Sequence, residues 1–137
     1  MNKSVRIIVW KKYDHHCAYC GRPLAYEDME VDHLIPQRLA WWYRNADKIK
    51  KYNLTGTVHD LPNLMPSCRR CNHYKRSYML EGFRHLMITL HKRIMQIYIC
   101  KVALDYGLIN IQPWDGVFYF EKQMRRTKNN YYAKKKI

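Results

Sequence analysis

Four of the five cysteines in this chain fall into two identical C-x-x-C steps, Cys17-Ala18-Tyr19-Cys20 and Cys68-Arg69-Arg70-Cys71. Such a step lets two thiolates approach one ion from neighbouring backbone positions, and two steps complete a tetrahedral Cys₄ set for zinc. The alternative is two unrelated redox or buried thiol pairs. Tyr19-Cys20-Gly21 favours the metal, because glycine permits the tight turn of a zinc knuckle. Disulfides do not persist in a reducing compartment, so paired cysteines there point to an ion. The interval between the steps is longer than in a simple zinc ribbon, so substantial structure is looped out of the knuckles. Cys100 lies in an apolar helical stretch and reads as a small core residue.

The looped-out segment carries a second kind of chemistry. Hydrolysing a phosphodiester at neutral pH needs a base to deprotonate water and a cation to stabilise negative charge. His33 has the right side chain for the base, and its neighbour Asp32 is a cation ligand of hard-oxygen type. On a regular strand these two side chains point to opposite faces, so a bulge or a strand end must bring them together.

In order, the chain reads Cys17-x-x-Cys20, Asp32-His33 with Pro36, Asn63-Leu64, then Cys68-x-x-Cys71-Asn72-x-x-Lys75. This series, from Cys17 to Arg76, resembles the HNH endonuclease family in its zinc-stabilised form. The stretch from Asn63 to Asn72 is particularly similar to HNH proteins of phages and prophages, and the region from Leu80 to Glu121 resembles their C-terminal extension. The resemblance implies a ββα-metal fold, two antiparallel strands and a helix gripping one divalent ion. It implies that Asp32 binds that ion and that His33 activates water. It implies that Asn63 positions the histidine through its amide or backbone, and that Asn72 is the second ligand. Two oxygen ligands completed by water and phosphate suit Mg²⁺ or Mn²⁺. Lys75, three residues beyond Asn72 and so on the same helix face, is expected to hold the scissile phosphate. Arg69, Arg70 and Arg76 are expected on backbone phosphates.

The elements that must position these residues are partly legible. Residues 5–13 fit helix or strand equally. Tyr26 to Met29 reads as a turn, and Glu30 to Ile35 alternates and is closed by Pro36, a short strand. Leu39, Trp42, Tyr43, Ala46 and Ile49 recur at helical spacing between Arg38 and Lys51. That helix leaves Trp41 as a candidate for an exposed contact with bases. From Leu80 through Phe83, Leu86, Met87, Leu90, Ile94, Ile97 and Tyr98 one apolar stripe predicts a long helix, capped by Gly107. Leu108 to Ile111 and Val117 to Phe120 flank Pro113-Trp114-Asp115-Gly116, which predicts a β-hairpin. His15, His16, His85 and His91 are expected on the surface and His59 in a loop. The expected class is α+β: a ββα-metal core with a Cys₄ zinc site, a long C-terminal helix and a β-hairpin.

The chain is 137 residues with 25 Lys and Arg against 11 Asp and Glu, a net charge of +14. That length suits one domain. The expectation is a single domain over residues 1–121, with motif core 17–76 and extension 78–121, followed by a basic, disordered tail over 122–137. The charge excess calls for a polyanion, and nucleic acid is the commonest. No apolar run approaches the roughly 20 residues of a membrane helix. Ile7 to Trp10 is too short for a secretory signal and has no small-residue cleavage site behind it. A cytoplasmic enzyme of a bacterial or phage-infected cell, acting on DNA with RNA left open, is the expectation. A zinc-stabilised DNA-binding module without catalysis is the rival.

Overall fold

The computed structural model describes residues 1–38, 47, 50 and 57–135. The expected helix between Arg38 and Lys51, with Trp41 on it, lies outside the described residues apart from isolated positions. The described chain divides into two compact units, one formed by Met1–Met79 with Phe118–Ile137, the other by Leu80–Val117.

The first unit is built on a two-stranded antiparallel sheet, β1 (Met29–His33) and β2 (Leu64–Cys68). The register runs without a bulge from Met29 opposite Cys68 to His33 opposite Leu64. Helix α1 (Lys3–Lys11) and helix α2 (Arg69–Lys75) both pack against this sheet. The open question at residues 5–13 is thus settled as helix. Asn2 caps α1 by accepting from the Ser4 N–H at 3.0 Å. Two cations tie α1 to the sheet region. Arg6 donates to the carbonyls of Tyr26 and Met29, and Lys12 donates to those of Leu61 at 2.9 Å and Leu64 at 2.8 Å. Burial pushes the Lys12 pKa down to about 8. Every residue of β2 is buried. Pro66 is tolerated there because it is asked only for its carbonyl, which accepts from Ala18 N at 2.8 Å.

Helix α6 (Tyr119–Lys135) completes this unit, and it revises two expectations. Phe118 and Phe120 are buried, with Phe118 edge-on to the Tyr19 ring at 5.6 Å. The N–H groups of Tyr119 and Phe120 donate to Tyr19 and Ala18 carbonyls at 3.1 and 2.8 Å. Backbone donors spent on the first knuckle cannot pair with residues 108–111, so no β-hairpin forms. Glu121 accepts from Phe118 N at 2.9 Å and starts a helix instead. The basic stretch from Lys122 to Lys135, expected to be disordered, is helical.

The second unit holds α3 (Leu80–Ile88), α4 (Leu90–Ile94) and α5 (Tyr98–Asp105) in place of one long helix. Side chains interrupt the ladder. Thr89 N keeps the helical bond to His85 O at 3.2 Å, but Leu86 O is taken by Arg93 Nη2 at 2.6 Å and Thr89 Oγ1 at 3.4 Å. Carbonyls served by side chains let the chain turn. Leu80 and Phe83 are buried, whereas Ile97 and Tyr98 are exposed, so the stripe is core only at its start. Cys100 is half-buried. Gly107 does end α5: at φ +67° it donates to Leu104 O while Leu108 N reaches Ala103 O, a Schellman cap.

Candidate active site

The two knuckles meet. The Sγ atoms of Cys17, Cys20, Cys68 and Cys71 all lie within 4.8 Å of one another, with Cys20 and Cys68 at 3.9 Å. A Zn–S bond of about 2.3 Å sets tetrahedral sulfur edges of about 3.8 Å, so the four-thiol donor set fits zinc. Backbone N–H groups already serve this cluster: Cys68 N donates to Cys17 Sγ at 3.3 Å and Cys71 N to Cys68 Sγ at 3.5 Å. Hydrogen bonds from the Cys20 and Cys71 thiols hold the Cys17 pKa far below its ordinary value. In turn the Cys20 thiol is pushed up to about 11 by Cys17. Gly21 is required on two counts. Its φ is +76°, and a Cβ there would sit 2.6 Å from the Tyr119 ring. Among the described residues no other group of three or more His, Cys, Asp and Glu side chains is placed to hold an ion.

The acid–base residues lie at the end of β1. His33 is its last residue, so the strand end, not a bulge, frees the His33 ring from the alternation. Asp32 is 6 % exposed, and its Oδ2 accepts both the Tyr19 hydroxyl and the Lys75 ammonium, the latter at 2.9 Å. Burial and the Asp32 charge raise the Tyr19 pKa well above its ordinary value, so the hydroxyl keeps its proton and donates. Lys75 is wholly buried and also donates to His33 O at 3.0 Å. This corrects the phosphate-binding role expected of Lys75: its face of α2 turns to the sheet, and its charge is spent on Asp32.

The hydrogen bonds of the Asn63 side chain go to backbone, not to the His33 ring. Asn63 holds the backbone beyond His33, accepting from Ile35 N at 2.8 Å and donating to Ile35 O at 3.1 Å, while its own carbonyl takes Leu34 N. Asn72, half-buried, donates Nδ2 to Glu30 Oε2 at 2.6 Å, which leaves its amide oxygen for another partner. Asp32 Oδ1 and Asn72 Oδ1 are hard oxygen donors, a chemistry that fits Mg²⁺ or Mn²⁺ rather than zinc. Arg69, Arg70 and Arg76 are exposed. The first two line, with Arg22, Glu30 and His73, a cavity of ≈ 820 Å³ beside the cysteines.

His33 itself is 8 % exposed. Burial first, then the neighbouring His59, lower its pKa below the ordinary histidine value, and Asp32 acts in the opposite sense. Its ring nitrogens meet Gln37 and His59. Tyr19, Glu30, Gln37 and His59 were not singled out as site residues from sequence. Only Tyr19 carried a signal, its place inside a cysteine step.

The family model described as HNH endonuclease matches residues 17–77. Among solved structures, the chain is similar to part of the Type II-C Cas9 enzyme from Actinomyces naeslundii, at 23% identity and a TM-score of 0.43. That similarity covers 59% of this chain and 8% of the other. Among curated proteins the chain finds no match.

Proposed function

Residues 17–77 of this chain match the HNH endonuclease family, and from that premise we propose a metal-dependent endonuclease that hydrolyses DNA phosphodiester bonds in the cytoplasm. One observation carries the reading. The buried Asp32 carboxylate is held through a single oxygen by Tyr19 and Lys75, at the strand end that also presents His33. A carboxylate fixed in this way needs no reorganisation when substrate arrives. In this reading Asp32 Oδ1 and Asn72 Oδ1 hold Mg²⁺ or Mn²⁺. When bound, that ion supplies positive charge beside the phosphate oxygens and the leaving 3′-oxygen.

His33 takes a proton from the water that attacks phosphorus in line. Asn63 positions it through the backbone of Leu34 and Ile35. Lys75 and Tyr19 are positioning residues for Asp32. The exposed Arg69, Arg70 and Arg76, with a net charge of +14, supply backbone-phosphate contacts. The Cys₄ zinc is structural, joining β2 and α2 to the first knuckle. Among the described residues no helix is long and apolar enough to cross a membrane.

Supercoiled plasmid, and separately a structured RNA, incubated with zinc-loaded protein in Mg²⁺, Mn²⁺ or EDTA tests this reading. Nicked or linear DNA is expected only with the divalent ion, and His33→Ala is expected to bind DNA without cutting it. Cutting in EDTA or by His33→Ala overturns the mechanism. Tight DNA binding by wild type with no cutting at all selects the non-catalytic module instead.

A further inference from the structure

Gln37 Nε2 stands 2.9 Å from His33 Nδ1 and 3.2 Å from Nε2. An atom nearly equidistant from both ring nitrogens lies over the ring face, off either lone pair, and marks neither as the acceptor. His33 Nε2 lies 3.1 Å from His59 Nδ1, so one of these two nitrogens carries the shared proton. A base at position 33 needs its lone pair on Nδ1, and that condition is met when Nε2 carries the proton and His59 Nδ1 accepts it. The two rings are nearly perpendicular, at 75° with centroids 5.2 Å apart.

The surroundings hold this pair in place. His59 lies in the turn Thr57–Asp60, where Asp60 N donates to Thr57 O at 3.0 Å and His59 N to Thr57 Oγ1 at 3.2 Å. Asn63 Nδ2 ties that turn through Val58 O at 2.8 Å. The same buried side chain ties Ile35, two residues beyond His33. One asparagine thus sets both the backbone that follows the base and the turn that bears its partner. His59 is exposed, so packing of a core gives no reason for its contact. Gln37, whose amide covers the His33 ring, is also exposed.

We propose that His59 is the positioning residue of the general base, accepting the Nε2–H of His33 and so fixing the tautomer whose lone pair is on Nδ1. This rests on the nuclease reading. In the step itself a water O–H bond breaks and its proton passes to His33 Nδ1. The hydroxide oxygen bonds to phosphorus as the bond to the 3′-oxygen breaks, and that oxygen takes a proton from solvent. His33 keeps its Nε2–H on His59 throughout and returns the Nδ1 proton to solvent.

The test uses the zinc-loaded full chain as wild type, His59→Ala and His59→Asn, whose amide oxygen can accept where Nδ1 did. Two readouts are taken: the single-turnover cleavage rate at saturating DNA in Mg²⁺, and the His33 tautomer from long-range ¹H–¹⁵N NMR. His59→Ala is expected to lose about 10–100-fold in rate with unchanged DNA affinity and melting temperature. His33 is expected on Nε2–H in wild type and His59→Asn, and as a mixture in His59→Ala, with His59→Asn recovering most of the rate. A His59→Ala protein that cuts at the wild-type rate, or keeps a pure Nε2–H tautomer, overturns the assignment. Wild type that cuts nothing sinks the nuclease reading, while the tautomer measurement still decides the role of His59.

Discussion

Replacing Lys75 by methionine removes a charge that is wholly buried and leaves its partner behind. The ammonium stands 2.9 Å from Asp32 Oδ2 and 3.0 Å from His33 O. Without it the buried Asp32 carboxylate keeps only the Tyr19 hydroxyl, and the His33 carbonyl loses that donor. Stranding one member of a buried ion pair costs about 3–5 kcal/mol. At about 4 °C per kcal/mol for a domain of this size, the melting temperature of Lys75→Met is expected to fall by about 12–20 °C. Removing both charges together, in Lys75→Met with Asp32→Leu, is expected to recover most of that loss, because a hydrophobic replacement of a buried pair is close to neutral. Thermal unfolding of wild type, both single variants and the double variant closes the cycle, with zinc content measured on the same samples. The reasoning is refuted if Lys75→Met melts within about 2 °C of wild type while its DNA affinity drops and its salt dependence becomes shallower. That pattern belongs to an exposed lysine on a phosphate.

Other consequences are as direct. The folded protein is expected to carry a single zinc, with Cys17→Ser or Cys68→Ser losing both metal and fold; folded protein with no zinc by elemental analysis contradicts the Cys₄ assignment. Gly21→Ala is expected to lose more than about 1 kcal/mol in denaturant unfolding, from the positive φ and the Tyr119 ring 2.6 Å from the new Cβ. Stability should depend on pH through Lys12. With a folded pKa of about 8 against 10.5 in the open chain, the unfolded state binds more protons between these values, so stability rises with pH across that window. Relative to Lys12→Met, wild-type melting temperature should climb from pH 8 to 10.5; parallel curves would show that Lys12 is not desolvated.

What could be read from sequence is what spacing alone carries. Cys17, Cys20, Cys68 and Cys71 declare a shared ion because their offsets are the chemistry, and the pattern around Asp32 and Pro36 marks a strand. Lys75 shows where this stops. Three residues after Asn72 places it on one helix face, but only packing decides whether that face looks at solvent or at Asp32. The contacts of Glu30 with Asn72 and of His59 with His33 are tertiary, with no local signature. The expected hairpin failed for the same reason: Pro113 to Gly116 is a sound turn signal, yet the N–H groups of Tyr119 and Phe120 found acceptors in the first knuckle. The apolar stripe from Leu80 had helical spacing throughout, but the Thr89 and Arg93 side chains took the Leu86 carbonyl that a continuous helix needs.

The central claim is that Asp32 and Asn72 hold the divalent ion of phosphodiester hydrolysis, and Asn72 has a neighbour, His73, that tests it. One residue further along a helix is a rotation of about 100°. Asn72 is engaged with Glu30, whereas His73 is exposed and lines the cavity beside the cysteines. Plasmid cleavage in Mg²⁺ should be measured for zinc-loaded wild type, Asn72→Ala and His73→Ala, with zinc content checked in each. Loss of cleavage in Asn72→Ala with zinc retained, and cleavage near wild type in His73→Ala, is the predicted result. The reverse pattern would put the ion on the wrong residue and contradict the site.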